Sequence, residues 1–144
     1  MTHAEKAKRL YEQGFLCSQA VLAAFAEELG LSEPQALKLG ICFGGGMCKG
    51  EVCGACTGAL MVLGLKYGQC IPGAEGRSKS NEVTVRFLEE FRSENGSYMC
   101  RELLGCDLST QEGRDHAREH HLFGEFCPKM VFSAAKIAEQ LLSE

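Results

Sequence analysis

Two thiols separated by two residues, Cys53-Gly54-Ala55-Cys56, stand in a chain of 144 residues that carries nine cysteines and no tryptophan. A pair at this spacing can close a disulfide, bind a soft metal or supply part of an iron–sulfur site, and ordinary packing seldom requires it. Cys17, Cys42, Cys48, Cys70, Cys100, Cys106 and Cys127 are spread along the rest of the chain. Chemistry on sulfur is the expectation.

Composition narrows the setting for that chemistry. A hydrophobic content of 45% is enough for a core that does not depend on disulfides, so residues 1–144 are read as one domain. The charge is -4, from 15 Lys and Arg against 19 Asp and Glu, with the signs mixed and no basic stripe. Nucleic acid is not the expected partner. The N-terminus from Met1 to Lys8 has no apolar stretch before a cleavage site, and no apolar run approaches the roughly 18 residues of a membrane span. The expected setting is therefore soluble and cytoplasmic, without membrane insertion. There, an odd number of thiols is expected to be reduced, metal-bound or catalytic rather than locked into disulfides.

The elements that position these thiols read as helices throughout. Thr2-x-x-Glu5 is a capping box, and its helix is expected to run to about Gln13. A second helix spans Ser18 to Leu29 with Gly30 as its C-terminal turn, and Ser32-Glu33-Pro34 opens a third. The third dissolves in the glycine loop Gly44-Gly45-Gly46-Met47-Cys48-Lys49-Gly50. A fourth helix begins near Cys53 and continues to Gly68. Gln69 to Lys79, with Pro72, Gly73 and Gly76, reads as the longest loop and a candidate lid or hinge. Val83, Val85, Phe87, Leu88 and Phe91 fit an amphipathic helix over Ser80 to Glu94, although Val83-Thr84-Val85 also reads as a short strand. A short turn at Cys100 to Leu104, a polar helix opened by Ser109-x-x-Glu112 and a last helix from about Phe126 to Leu142 complete an all-α, compact bundle of seven or eight helices.

On this reading Cys17, Cys53, Cys100 and Cys127 each fall at or just before the first turn of a helix. Free amides and the positive end of the helix dipole there favour negative charge and are expected to lower the thiol pKa. If the four starts converge, they form a nest of amides around several thiolates, suited to an anionic iron–sulfur cluster or a nucleophilic cysteine.

The chain resembles the C_GCAxxG_C_C family of small redox-active proteins. The resemblance is carried by Gly14-Phe15-Leu16-Cys17-Ser18-Gln19-Ala20-Val21, the Gly44-Gly45-Gly46 loop, Cys53-Gly54-Ala55-x-x-Gly58-Ala59, Cys100-Arg101-Glu102-Leu103-Leu104-Gly105, and Cys127 followed by Val131. Matched motif to motif, the four family cysteines are Cys17, Cys53, Cys100 and Cys127. The resemblance implies a helical fold, a redox role, a homodimer and a relationship to the iron–sulfur region of split-Soret cytochromes. Cys56 occupies a variable position of the motif, and Cys42, Cys48, Cys70 and Cys106 are also additions to the pattern.

Three functions follow as expectations. The first is electron transfer through an iron–sulfur cluster held by three or four of Cys17, Cys53, Cys100 and Cys127, with an unidentified redox partner. The second is a thiol–disulfide oxidoreductase, with Cys53 attacking and Cys56 or another cysteine resolving, and the third is a structural or regulatory zinc site. Covalent haem is excluded at the paired motif because residue 57 is Thr rather than His. The thioredoxin analogy lacks its strand-then-helix context. Lys49 is followed by Gly50 and Glu51, not by the Ser/Thr of a phosphate loop. Among the extra cysteines, Cys48 is the best added ligand because it sits five residues before Cys53, whereas Cys42 is expected in the core. His116, His120 and His121 lie in a highly charged segment and read as a solvated face.

Overall fold

The computed structural model describes residues 1–144 and is built from eight α-helices without strands. They are α1 (His3–Glu12), α2 (Cys17–Ala26), α3 (Glu33–Gly40), α4 (Gly54–Tyr67), α5 (Ala74–Asn95), α6 (Cys100–Leu104), α7 (Gln111–Glu119) and α8 (Cys127–Leu142). No helix is long and apolar enough to cross a membrane.

The centre of the bundle is α2. Every residue from Ser18 to Ala26 is buried, and four of those nine are alanines, so α1, α3, α4 and α8 approach it closely on all sides. A helix that is apolar all round belongs in the interior. The 27-residue core extends from Ala4 and Ala7 on α1 through Phe25, Val62 and Phe87 to Ile137 and Leu141 on α8. A smaller cluster of Cys100, Leu104, Leu108 and Ala117 seats α6 and α7 beside it.

The first helix starts as its residues dictate: Thr2 Oγ1 accepts from the Glu5 amide at 3.1 Å, and Glu5 Oε2 accepts from the Thr2 amide at 2.8 Å. Ser32 caps α3 by accepting from the Gln35 amide. Gly30, Gly96 and Gly105 close helical segments in the left-handed conformation that suits glycine.

Two local expectations are corrected. The presumed loop from Gln69 to Lys79 is helical from Ala74 onward, so α5 is six residues longer at its start than apolar periodicity indicates. Its first turns carry mainly polar, exposed residues that leave no hydrophobic signature, and Gly73 anchors the start by accepting from Gln69 and Arg77 side chains. Val83-Thr84-Val85 lies inside that same helix. At α7 the cap is Thr110, whose hydroxyl accepts from the Gly113 amide at 2.9 Å, while the Ser109 amide is already engaged by Asp107 Oδ1.

The glycine segment is a compact turn. Gly45, Gly46, Met47 and Cys48 are four consecutive residues with left-handed φ, closed by a bond from the Glu51 amide to the Gly46 carbonyl at 3.1 Å. Met47 and Cys48 adopt this conformation without being glycine, at a cost of about 1–2 kcal/mol each. Beyond the turn, Val52 and Met99 form an isolated antiparallel bridge. Its bonds, Cys53 N to Tyr98 O at 2.8 Å and Cys100 N to Glu51 O at 2.6 Å, tie the starts of α4 and α6 together.

Candidate functional site

Four helix starts meet at one cavity. Cys17 is the first residue of α2, Cys53 the N-cap of α4, Cys100 the first residue of α6 and Cys127 the first of α8. Their side chains line a cavity of about 90 Å³ whose other walls include Tyr11, Leu16, Leu103, Leu108, Phe123, Phe126 and Met130. The thiols are spread around these walls rather than gathered on a point: no three of the chain's His, Cys, Asp and Glu side chains are grouped to hold a single metal ion.

Glycines make this convergence sterically possible. A β-carbon on Gly54 would overlap Cys17 Sγ, and one on Gly58 would lie 2.7 Å from the Ser18 carbonyl oxygen. Gly54 and Gly58 are one helical turn apart, so they present a smooth strip of α4 to the start of α2. Ser18 then donates its hydroxyl to the Gly40 carbonyl at 2.5 Å, and Gln19 donates to the Leu37 carbonyl at 2.9 Å, fixing α2 against α3. On the opposite wall, a β-carbon on Gly46 would lie 3.0 Å from the Cys100 β-carbon. The left-handed turn therefore closes directly over Cys100.

The expectation of uniformly lowered thiol pKa values is corrected. Burial pushes Cys100 up to about 12 and Cys127 up to about 11, and the neighbouring Cys53 charge adds to both. Cys17 is also raised, first by burial and then by Cys53, although the Gly45 amide opposes this. Loss of water dominates at these three positions, and the one opposing amide, that of Gly45 at Cys17, belongs to the glycine turn rather than to a helix start. Only Cys53 is lowered: the Cys56 thiol is its strongest stabilising partner, burial opposes, and the amides of Ala55 and Cys56 assist.

Cys56 is fully buried and stands behind Cys53, outside the cavity lining. Burial and its bond to Cys53 hold its thiol well above the ordinary range. Cys42 is exposed rather than part of the core, because the segment after α3 turns its short Ile41–Phe43 helix toward the surface. Cys48 and Cys70 are exposed as well, and neither lines the cavity. Cys106 packs partly buried against the small Cys100 cluster. His116 and His120 stack with ring centres 4.1 Å apart on an exposed face, where His120 Nδ1 meets the His116 carbonyl.

Tyr11 is the residue that the cysteine pattern misses. It lines the cavity together with Cys127 and donates its hydroxyl to the Phe123 carbonyl at 2.6 Å. Burial, then the charges of Cys127 and Cys17, hold its own pKa far above that of free tyrosine. Its signal in the sequence is modest: on α1 it continues the face of Ala4 and Ala7, so a phenol falls where that helix is otherwise apolar.

An all-α bundle with four thiols facing an apolar cavity defines a class of cysteine-centred proteins. Residues 15–141 match the family described as "Putative redox-active protein (C_GCAxxG_C_C)", and the chain belongs to that family. Neither a curated protein nor a solved structure matches it.

Proposed function

We propose that this protein carries electrons through an iron–sulfur cluster held by Cys17, Cys53, Cys100 and Cys127. The observation that carries the reading is the meeting of these four thiols, from four separate helix starts, on one apolar cavity. Such a donor set fits the group in its chemistry: thiolates are the usual ligands of iron–sulfur clusters, and four cysteines line the one cavity. When bound, the cluster supplies a one-electron couple.

The chain's own residues would do the rest. Cys17, Cys100 and Cys127 keep their protons until a cation arrives, so loading releases protons to solvent. The Ala55, Cys56 and Gly45 amides direct partial positive charge at sulfur, which favours the more reduced, more negative state. Leu103, Leu108, Phe123 and Phe126 give the thiolates apolar surroundings. A reducing cytoplasm, a separate redox partner and a homodimer complete the proposal, the last resting on the family resemblance.

A second reading is favoured by one observation, the tight turn in which the Cys56 amide donates to the Cys53 carbonyl at 2.9 Å and keeps the two cysteines together. A lowered first thiol backed by a buried, raised second thiol is the arrangement of a dithiol that exchanges with disulfides.

Anaerobic purification followed by a visible spectrum, iron and sulfide analysis and a thiol count separates these readings. Brown protein with iron and labile sulfide, both lost in Cys17→Ser, Cys100→Ser and Cys127→Ser, is the expected result. Colourless, metal-free protein with a reversible disulfide overturns the cluster in favour of the dithiol. Zinc without iron overturns it in favour of a structural metal.

A further inference from the structure

We propose that Cys56 is a resolving thiol that removes Cys53 from the four-thiol cavity, so that a Cys53–Cys56 disulfide and a bound cluster are mutually exclusive states of one sulfur. This rests on the cluster reading above and adds its regulation.

The four cavity thiols are not equivalent in their surroundings. Each begins a helix, and three residues further on stand Ala20 after Cys17, Leu103 after Cys100 and Met130 after Cys127. Only Cys53 is followed at that spacing by a second thiol. The Cys56 amide donates to the Cys53 carbonyl at 2.9 Å, a bond that closes a tight turn. Such a turn holds the two α-carbons within about 7 Å, and a disulfide spans about 4.4–6.8 Å. The turn thus places the two cysteines at the spacing a disulfide requires.

Access runs in one direction. Cys53 lines the cavity and retains 8% exposure, whereas Cys56 has 0% and lies behind it. An oxidant entering from the cavity therefore meets Cys53 first. With a low-molecular-weight disulfide as oxidant, the Cys53 thiolate attacks one sulfur, the oxidant's S–S bond breaks, and the first thiolate leaves and takes up a proton. Cys56 then attacks the Cys53 sulfur of the mixed disulfide, gives up its own proton and expels the second small thiol. Two protein thiols lose two electrons, and one small disulfide is reduced to two thiols. The cavity is left with Cys17, Cys100 and Cys127, three thiols where the proposed cluster takes four.

The test uses the full-length, reduced, metal-free protein and oxidised glutathione under anaerobic conditions. Peptide mapping is expected to find Cys53 joined to Cys56 with no glutathione retained and the other seven thiols still open to alkylation after unfolding. Iron and sulfide are then offered: the oxidised protein is expected to take up at least tenfold less iron than the reduced protein and to recover after dithiothreitol. Cys56→Ala, with Cys56→Ser as a second variant, is expected to retain one glutathione on Cys53. Absence of the internal disulfide in wild type, equal iron uptake by the oxidised form, or loss of the adduct from folded Cys56 variants overturns the switch. Failure of the reduced wild type to load iron is a separate result, which overturns the cluster reading and the exclusion with it.

Discussion

Gly54 has no room for a β-carbon because the sulfur of Cys17 occupies that space. The Cys-Gly-Ala-x-x-Gly motif is thus a packing device as well as a ligand motif: its cysteine faces the cavity while its two glycines admit the start of α2. Gly54→Ala is expected to destabilise the fold by about 1–3 kcal/mol, the usual cost of overpacking, and to reduce iron loading by moving Cys17. Gly58→Ala meets the Ser18 backbone, away from the sulfurs, and is expected to lower stability with a smaller effect on loading. Urea unfolding and iron content, measured on both variants, separate the two effects.

The four cavity thiols should titrate in two groups when the protein is reduced and metal-free. With Cys53 lowered, Cys127 near 11 and Cys100 near 12, alkylation at pH 8 is expected to modify Cys53 before the other three. Raised thiols favour the folded state while protonated. Their contribution is complete below the unfolded value of about 8.5 and is lost as pH rises through 11 and 12, so the urea midpoint should fall above about pH 9. Cys53 contributes with the opposite sign: its share is present above the unfolded value and is lost as pH falls through its lowered folded value.

Tyr11→Phe removes the donor to the Phe123 carbonyl and is expected to cost about 1 kcal/mol. When Cys127 ionises, the same hydroxyl can turn from the Phe123 carbonyl to the thiolate, so its removal should leave Cys127 still harder to deprotonate. The check is slower alkylation of Cys127 at fixed alkaline pH, with helicity unchanged.

Far from the cavity, His3 bridges Glu139 and Glu28 while stacking on Phe25 at 4.3 Å. Burial alone would lower His3, but its bonds to the two carboxylates leave it raised; Glu139 is lowered, first by its bond to His3. The raised histidine contributes fully below its unfolded pKa of about 6.5, and the contribution fades as pH rises through the folded value. The lowered carboxylate contributes fully above about 4.3 and fades as pH falls through its folded value. His3→Gln should therefore lose most stability, on the order of 1 kcal/mol or less for so exposed a cluster, between about pH 4.5 and 6.5. Melting temperatures of variant and wild type across pH 4–8 measure it.

Cysteine spacing, capping residues and apolar periodicity are local properties, and they were enough to determine an all-α chain, most of its helix starts and the placement of Cys17, Cys53, Cys100 and Cys127 at four of them. Periodicity failed at the polar first turns of α5, where there is nothing apolar to count, and at Cys42, whose neighbours resemble a buried helix. Tertiary structure alone decided that the four starts share a cavity, because that meeting depends on the Val52–Met99 bridge, the left-handed turn and the close approach of α2 to α4. It also decided the protonation of the thiols. A helix start favours a thiolate whatever surrounds it, but the cost of removing that charge from water is set by the packed walls, which lie far apart in the chain and decide the outcome at every cavity thiol except Cys53, where the neighbouring Cys56 thiol tips the balance.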